Sequence, residues 1–274
     1  MDDFAGLSHP GAREGDNQDA IAWDAERQLW FVADGMGGYQ HGRDASLLVK
    51  ETLLGAVGKL DLVAAVLKAH EAVQQAAAKL EGDQRMGSTV VCAQITGDDC
   101  RIVWVGDSRA YLWRDQALQR LTRDHSFVEA LVETEPLSET QMRNHPNASV
   151  VLQTLGMGSP VPSDRSVHLH AGDWIILCSD GLPLELRDGE IAYILQSSSN
   201  PQQAAQTLLD AALAKGGRDN TSVIVVQHGI RPAGGLKARL TRLDSAVVGW
   251  IAALAGVLLA AVVVVIAWRL RAGR

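Results

Sequence analysis

Four aspartates in this chain stand at the edges of short apolar runs, and that recurrence constrains the fold more than any other feature. Asp34 follows Leu29-Trp30-Phe31-Val32-Ala33, Asp107 follows Ile102-Val103-Trp104-Val105-Gly106, and Asp180 follows Trp174-Ile175-Ile176-Leu177-Cys178-Ser179. Asp219 instead precedes the run Thr221–Val226. Short runs rich in β-branched and aromatic residues, bounded by Gly and Asp, read as buried strands. Three acids therefore close strands and one precedes a strand. Where neighbouring strands run antiparallel, the end of one lies beside the start of the next, so all four carboxylates gather at one rim. Any one of these acids alone reads more readily as an ordinary turn residue, Asp107 more so than Asp180; Asp34-Gly35 by itself is as good a hairpin turn as a ligand site. Only the joint pattern tips the balance.

Carboxylates gathered at one rim repel one another, and a divalent cation is the natural compensation. With oxygen donors and no His or Cys ligand spacing, the ion is hard, Mg2+ or Mn2+ rather than zinc. Arg13, in Arg13-Glu14-Gly15-Asp16-Asn17-Gln18-Asp19, adds a guanidinium able to fork two phosphate oxygens.

The remaining elements are expected as follows. Strands fall over Ala20–Trp23 and Gln28–Ala33, with a turn at Asp24-Ala25-Glu26-Arg27. Apolar residues at helical spacing predict helices over Ala45–Val57 and Leu62–Leu80. Strands return at Ser88–Ile95, Arg101–Val105, Ala110–Arg114 and Gln119–Leu121, with turns at Gly97-Asp98-Asp99 and Arg114-Asp115-Gln116. His125–Glu133 and Ser138–Asn144 read as short helices of an inserted lobe. Ser149–Gln153, Ser166–His170, Trp174–Ser179 and Thr221–Gln227 read as strands. Asp188–Leu195 and Pro201–Ala214 read as helices, with Asp188 and Asn200 as N-caps. Grouped antiparallel strands with paired helices argue for an α+β fold rather than alternating βαβ.

Size and charge narrow the function. The chain has 274 residues and a formal net charge of -7, which opposes a nucleic-acid grip. Its three cysteines, Cys92, Cys100 and Cys178, lie in or at the edge of apolar runs without CxxC spacing, as expected of reduced thiols. The N-terminus carries no signal-peptide pattern. Residues 246–268 carry no charge and have Trp250 and Trp268 near the ends. At about 1.5 Å per residue they reach roughly 35 Å, enough for a single transmembrane helix. Residues 229–245 read as a linker in which Leu236, Leu240 and Leu243 share a helical face, with Lys237, Arg239 and Arg242 off it. That piece suits an anionic membrane surface and equally a plain charged linker. Basic residues flank the span on both sides, so charge does not set its orientation.

Taken in order, Asn17-Gln18-Asp19, Ala33-Asp34-Gly35-Met36-Gly37-Gly38, Gly87-Ser88-Thr89, Gly106-Asp107-Ser108-Arg109, Thr122-Arg123-Asp124-His125-Ser126, Ser179-Asp180-Gly181 and Asp219-Asn220-Thr221-Ser222 resemble the metal-dependent Ser/Thr protein phosphatase family (type 2C, PPM) in its bacterial form. The resemblance covers about residues 6–228. It implies a β-sandwich of two antiparallel sheets flanked by pairs of helices over residues 1–228. It also implies a variable flap at about 126–150. The membrane helix at 246–268 and a basic tail at 269–274 would follow the linker.

Carried over by position, Asp34 resembles the carboxylate bridging two metal ions, with the Gly35 carbonyl as a neighbouring ligand. Asp180 and Asp219 match the other carboxylates, Asp19 an acid ordering metal-bound water, and Asp107 the ligand of a third, weaker ion. Arg13 matches the residue holding the substrate phosphate. The implied activity is hydrolysis of phosphoserine and phosphothreonine in proteins by metal-activated water, with two Mn2+ or Mg2+ ions, opposing a bacterial Ser/Thr kinase. The competing readings are a catalytically silent phosphoprotein-binding scaffold and a small-phosphoester hydrolase. The expected location is the inner (cytoplasmic) membrane, with the catalytic domain in the cytoplasm. Gln18 and Met36 depart from family members that carry Glu and His there. Met36 cannot donate a proton to the leaving group, and His41 and His125 are weak substitutes.

Overall fold

A computed structural model describes residues 2–12, 16–81 and 85–229 of the chain. Arg13, the linker, the 246–268 span and the basic tail lie outside the described residues, so neither the arginine expected to hold phosphate nor the expected membrane helix is placed. Among the described residues no helix is long and apolar enough to cross a membrane.

Two antiparallel sheets carry the fold. One has the order β1 (Asp3–His9), β11 (Thr221–Gln227), β10 (Trp174–Cys178), β7 (Arg109–Arg114), β8 (Ala117–Arg120). The other has the order β2 (Asp19–Asp24), β3 (Leu29–Met36), β5 (Val90–Thr96), β6 (Asp99–Val105), β9 (Ser163–His168), and β4 (Gly87–Ser88) pairs with the end of β3. The apolar run Leu29–Ala33 shows why its residues do not alternate with polar ones. Trp30 and Val32 pack between the sheets with Leu112, Ile175 and Ile224, whereas Leu29, Phe31 and Ala33 face the helices. Both faces of the strand are therefore covered.

On the outer side of the second sheet lie α1 (Tyr39–Ala56) and α2 (Leu62–Ala77), whose Val49, Leu53, Val66 and Val73 meet Phe31 and Val103. On the outer side of the first lie α5 (Gly181–Glu185), α6 (Asp188–Ser197) and α7 (Pro201–Ala214). Their Leu182, Ile191 and Leu208 meet Ile176 and Val225. Asp61 caps α2 by accepting from the Val63 amide, and Asn200 caps α7 at the Gln203 amide, with Pro201 in the first turn. The four-layer arrangement and the α+β class agree with expectation.

Several expected elements need correction. Helix α1 begins six residues before Ala45, because its first turn packs Gly42 on Gly35 and so shows no apolar period. Helix α2 ends at Ala77 rather than Leu80. Ser149–Gln153 is not a sheet strand: it makes one bridge, Val151 to Ser126, and hydrogen bonds to residues 125–127, leaving Val150 and Leu152 exposed. Asp188 does not cap α6; Arg187 occupies that place, its amide donating to Glu190, while Asp188 accepts from the Tyr111 hydroxyl. The helices expected at His125–Glu133 and Ser138–Asn144 shrink to α3 (Phe127–Leu131) and α4 (Glu139–Arg143). Strand β1 and helix α5 had no sequence expectation. Gly6 interrupts β1, and Gly181 and Pro183 in α5 argue against a helix.

Candidate active site

The rim at the ends of β3, β6 and β10 and the start of β11 encloses a cavity of about 550 Å3. Asp34, Asp107, Asp180 and Asp219 all line it, as the strand-end argument requires. Asp34 arrives within β3, its amide donating to Thr89 Oγ1. Asp107 follows β6 through Gly106, whose φ of 105° suits glycine. Asp180 sits between β10 and α5. Asp219 precedes β11, beside Gly181, whose hypothetical Cβ would lie 2.1 Å from the Asn220 carbonyl oxygen. The two loops thus touch backbone to backbone.

Asp19 does not line the wall. It lies behind it, 9% exposed, opposite Asp34 in the β2–β3 register. Its Oδ2 accepts from Ser179 Oγ at 2.7 Å and Ser222 Oγ at 2.6 Å. Its Oδ1 is buried with no hydrogen-bond partner among the described residues.

Electrostatics matches this crowding. Burial, reinforced by neighbouring Asp180 and Asp219, pushes Asp19 up to about 7 against the two serine hydrogen bonds. Burial and the charges of Asp180 and Asp124 push Asp107 to about 8. Asp34 is raised well above the usual carboxylate range by burial and by Asp19, Asp180, Asp107 and Asp219. Among the described residues no three ligand-type side chains converge into a finished metal cage. The acids line a shared space instead.

The residues fit divalent cations. The donors are all oxygens, and Asp19 Oδ1 is a buried acceptor otherwise unused. Gly35 admits no side chain: a Cβ there would lie 1.9 Å from the Gly42 carbonyl oxygen. Its amide donates to the Gln18 carbonyl, and the Gln18 amide donates to Asn220 Oδ1, so the strand end is pinned from two sides.

Met36 lines the cavity at 37% exposure and offers no proton. His125 is no substitute: Nδ1 accepts from the Gly106 amide, Nε2 meets Ser163 Oγ, and the ring stacks on Trp104. It braces the turn that delivers Asp107. Arg13 is not described, but its neighbours are. Ala12 donates to the Gly217 carbonyl and Asp16 lines the cavity.

Residues without a sequence expectation also shape the site. Ser149 and Val151 reach the wall from the flap. Ser179 and Ser222 hold Asp19; each is a buried serine on or beside an apolar strand, a signal available from the sequence. Arg109 grips Asp124 with Nε and Nη2, next to Asp107.

The family model for protein phosphatase 2C matches residues 6–215. The serine/threonine protein phosphatase PstP of Mycobacterium tuberculosis is 32% identical over 232 residues, covering 81% of this chain and 44% of its own length. The chain thus spans less than half of that relative. The serine/threonine phosphatase Stp of Listeria innocua is 32% identical over 224 residues, covering 76% of this chain and 88% of its own. A crystal structure of the PstP catalytic domain in complex with two manganese ions superposes with a TM-score of 0.70 at 30% identity. It covers 82% of this chain and 96% of that one.

Proposed function

This chain belongs to the protein phosphatase 2C family, and from that premise we propose that it is a metal-dependent serine/threonine protein phosphatase acting on phosphorylated proteins. The observation that carries the reading is the convergence of Asp34, Asp107, Asp180 and Asp219 on one cavity. Asp34, Asp180 and Asp219, with the Gly35 carbonyl, would hold two Mn2+ or Mg2+ ions. Asp107 would hold a third, weaker one. When bound, these ions supply a water acidic enough to ionise near neutral pH and positive charge opposite the phosphoryl group.

The chain's own residues do the rest. Asp19, fixed by Ser179 and Ser222, offers Oδ1 to order water behind Asp34. Arg13 forks the substrate phosphate and spreads the charge that moves onto its oxygens. The Gln18–Asn220 hydrogen bond ties the β2 entry to the Asp219 loop, so the acids keep their spacing. With methionine at position 36, the departing serine or threonine oxygen takes its proton from water.

We further propose that residues 246–268 anchor the chain in the cytoplasmic membrane through the basic linker at 229–245, leaving the domain at 1–228 in the cytoplasm. There it would oppose a Ser/Thr kinase. The uncharged run with tryptophans near both ends supports this reading. The deciding experiment measures phosphate release from a phosphothreonine peptide with and without Mn2+. Mn2+-dependent release supports the enzyme; peptide binding without release would establish a scaffold instead.

A further inference from the structure

Helix α4 of the flap buries none of its residues. A capping box between Ser138 and Gln141 closes its N-terminus, and Met142 and Arg143 are only half-buried. The polar attachment is Arg143. Its Nη1 donates to the Leu184 carbonyl at 3.4 Å and Nη2 to the Leu186 carbonyl at 3.2 Å, while Nε pairs with Glu139. The two carbonyls lie at the C-terminal end of α5, where a helix leaves acceptors unsatisfied and favours a cation.

The same carbonyl of Leu184 also accepts from Arg218 Nη2 at 3.0 Å. Arg218 directly precedes Asp219, and it is held by the buried Glu185 through both its amide and Nε. Helix α5 itself begins directly after Asp180. One carbonyl thus joins the flap, the Asp180 segment and the Asp219 segment. Between the flap and α5 lies a second cavity of about 380 Å3, bounded by Met142 and Arg143 on one side and Pro183 and Leu184 on the other. It shares Asp107, Ser149 and Asp180 with the first cavity, so the two adjoin at these residues.

We propose that Arg143 is a positioning residue that docks the flap on α5 and sets the width of this second cavity, which receives the substrate chain next to the phosphorylated residue. The proposal rests on the phosphatase reading above. A protein substrate must lay chain on either side of its phosphate and so depends on the docked flap. A small phosphate ester fills only the first cavity and does not. Lysine at 143 keeps the charge and reaches one carbonyl, whereas alanine reaches none.

The test compares wild type, Arg143→Ala and Arg143→Lys as full chains in detergent with Mn2+, on a phosphothreonine peptide and on p-nitrophenyl phosphate. For Arg143→Ala, KM for the peptide is expected to rise about five- to tenfold with kcat within about twofold, and turnover of the small ester to stay within about twofold. Arg143→Lys recovers most of the peptide KM. Equal losses on both substrates, a loss confined to kcat, or no change would each overturn the proposal. Amide hydrogen exchange supplies a readout independent of turnover. Faster exchange over residues 138–149 in Arg143→Ala, with α7 unchanged, is expected even should the wild-type chain release no phosphate. Unchanged exchange there would remove the docking role itself.

Discussion

Asp19 and Asp34 are direct register partners across β2 and β3. Paired residues on neighbouring antiparallel strands present their side chains on the same face, about 5 Å apart. Two carboxylates that burial already keeps from ionising are therefore placed side by side. In the metal-free chain the pair holds protons rather than charge, and a bound cation that displaces those protons turns the pair into ligands.

Replacing Asp34 by Asn keeps its shape and removes the cost of protonating a buried carboxyl on folding. The metal-free variant should melt about 2–4 °C higher than wild type, the response to about 1 kcal/mol in a domain of this size. The stabilisation that Mn2+ gives the wild type should vanish, and phosphatase activity should fall at least about 100-fold. Thermal melts with and without Mn2+, run beside a phosphopeptide assay, check both arms. Retention of a tenth of the activity would refute the role given to Asp34.

The raised carboxyls also set a pH dependence. A carboxyl with a folded pKa above its unfolded value holds a proton that the unfolded chain has released. Its favourable contribution is complete below the unfolded value of 3.8 and is lost as pH rises through the folded value, about 7 for Asp19 and about 8 for Asp107. The loss therefore runs from about pH 4 to pH 8, and its last part, from Asp107, still lowers the stability of the metal-free chain between pH 7 and pH 9. Burial lowers the pKa of His70 and His125, so neither adds an opposing slope in that range. Urea midpoints in EDTA at the two pH values measure the effect, and a higher midpoint at pH 9 would contradict it.

What the sequence made legible is what strand chemistry writes locally. The runs at 29–33, 102–105, 174–178 and 221–226 mark strands whose two faces are both covered, and the acids beside them mark the rim. Asp34, Asp107, Asp180 and Asp219 could be grouped because strand ends converge. Asp19 was assigned to the same set by resemblance, but its place behind the wall depends on Ser179 and Ser222, which meet it only through the folded register. Ser149–Gln153 misled for the opposite reason. Its β-branched residues promised a sheet, yet its backbone partners are residues 125–127 of the flap. Local preference sets the conformation there, and tertiary pairing decides the partner.

Two glycines separate a rigid from a yielding contact. A methyl group at Gly35 would meet the Gly42 backbone at 1.9 Å, whereas one at Gly42 would meet the Gln18 side-chain oxygen at 2.0 Å and backbone, the Gly35 carbonyl oxygen, only at 2.9 Å. A side chain can rotate away and a helix backbone cannot. Gly35→Ala should cost about 2–3 kcal/mol and lower the melting temperature by about 5–10 °C, with Gly42→Ala costing clearly less. Calorimetry on both variants decides it; equal shifts would mean that the α1 backbone gives way.

Buried and exposed ion pairs should differ in the same molecule. Asp124, with 7% of its side chain exposed, accepts from both Arg109 and Arg120. Asp124→Ala leaves the largely buried Arg109 without its carboxylate and should cost about 3–5 kcal/mol. Arg27, with half its side chain exposed, pairs with Asp24 at the β2–β3 turn, and Arg27→Ala should cost under about 1 kcal/mol. Urea denaturation of the two variants is the check, and similar midpoints would show that Arg109 finds another partner.

The last prediction concerns the boundary after β11. The strand's end is tied back into the domain: the His228 amide donates to the Asp173 carbonyl, the Gly172 amide to the His228 carbonyl, and the Gly229 amide to Asp2. His228 Nε2 also meets Asp98. These bonds close the sandwich at residue 229 with groups from within it, so residues 1–230 should fold alone, stay soluble and keep Mn2+-dependent activity. The full chain should instead sediment with membranes and resist alkaline carbonate extraction, as a single apolar span does. An inactive or aggregated 1–230 fragment would place the boundary elsewhere, and a full chain released by carbonate would remove the anchor.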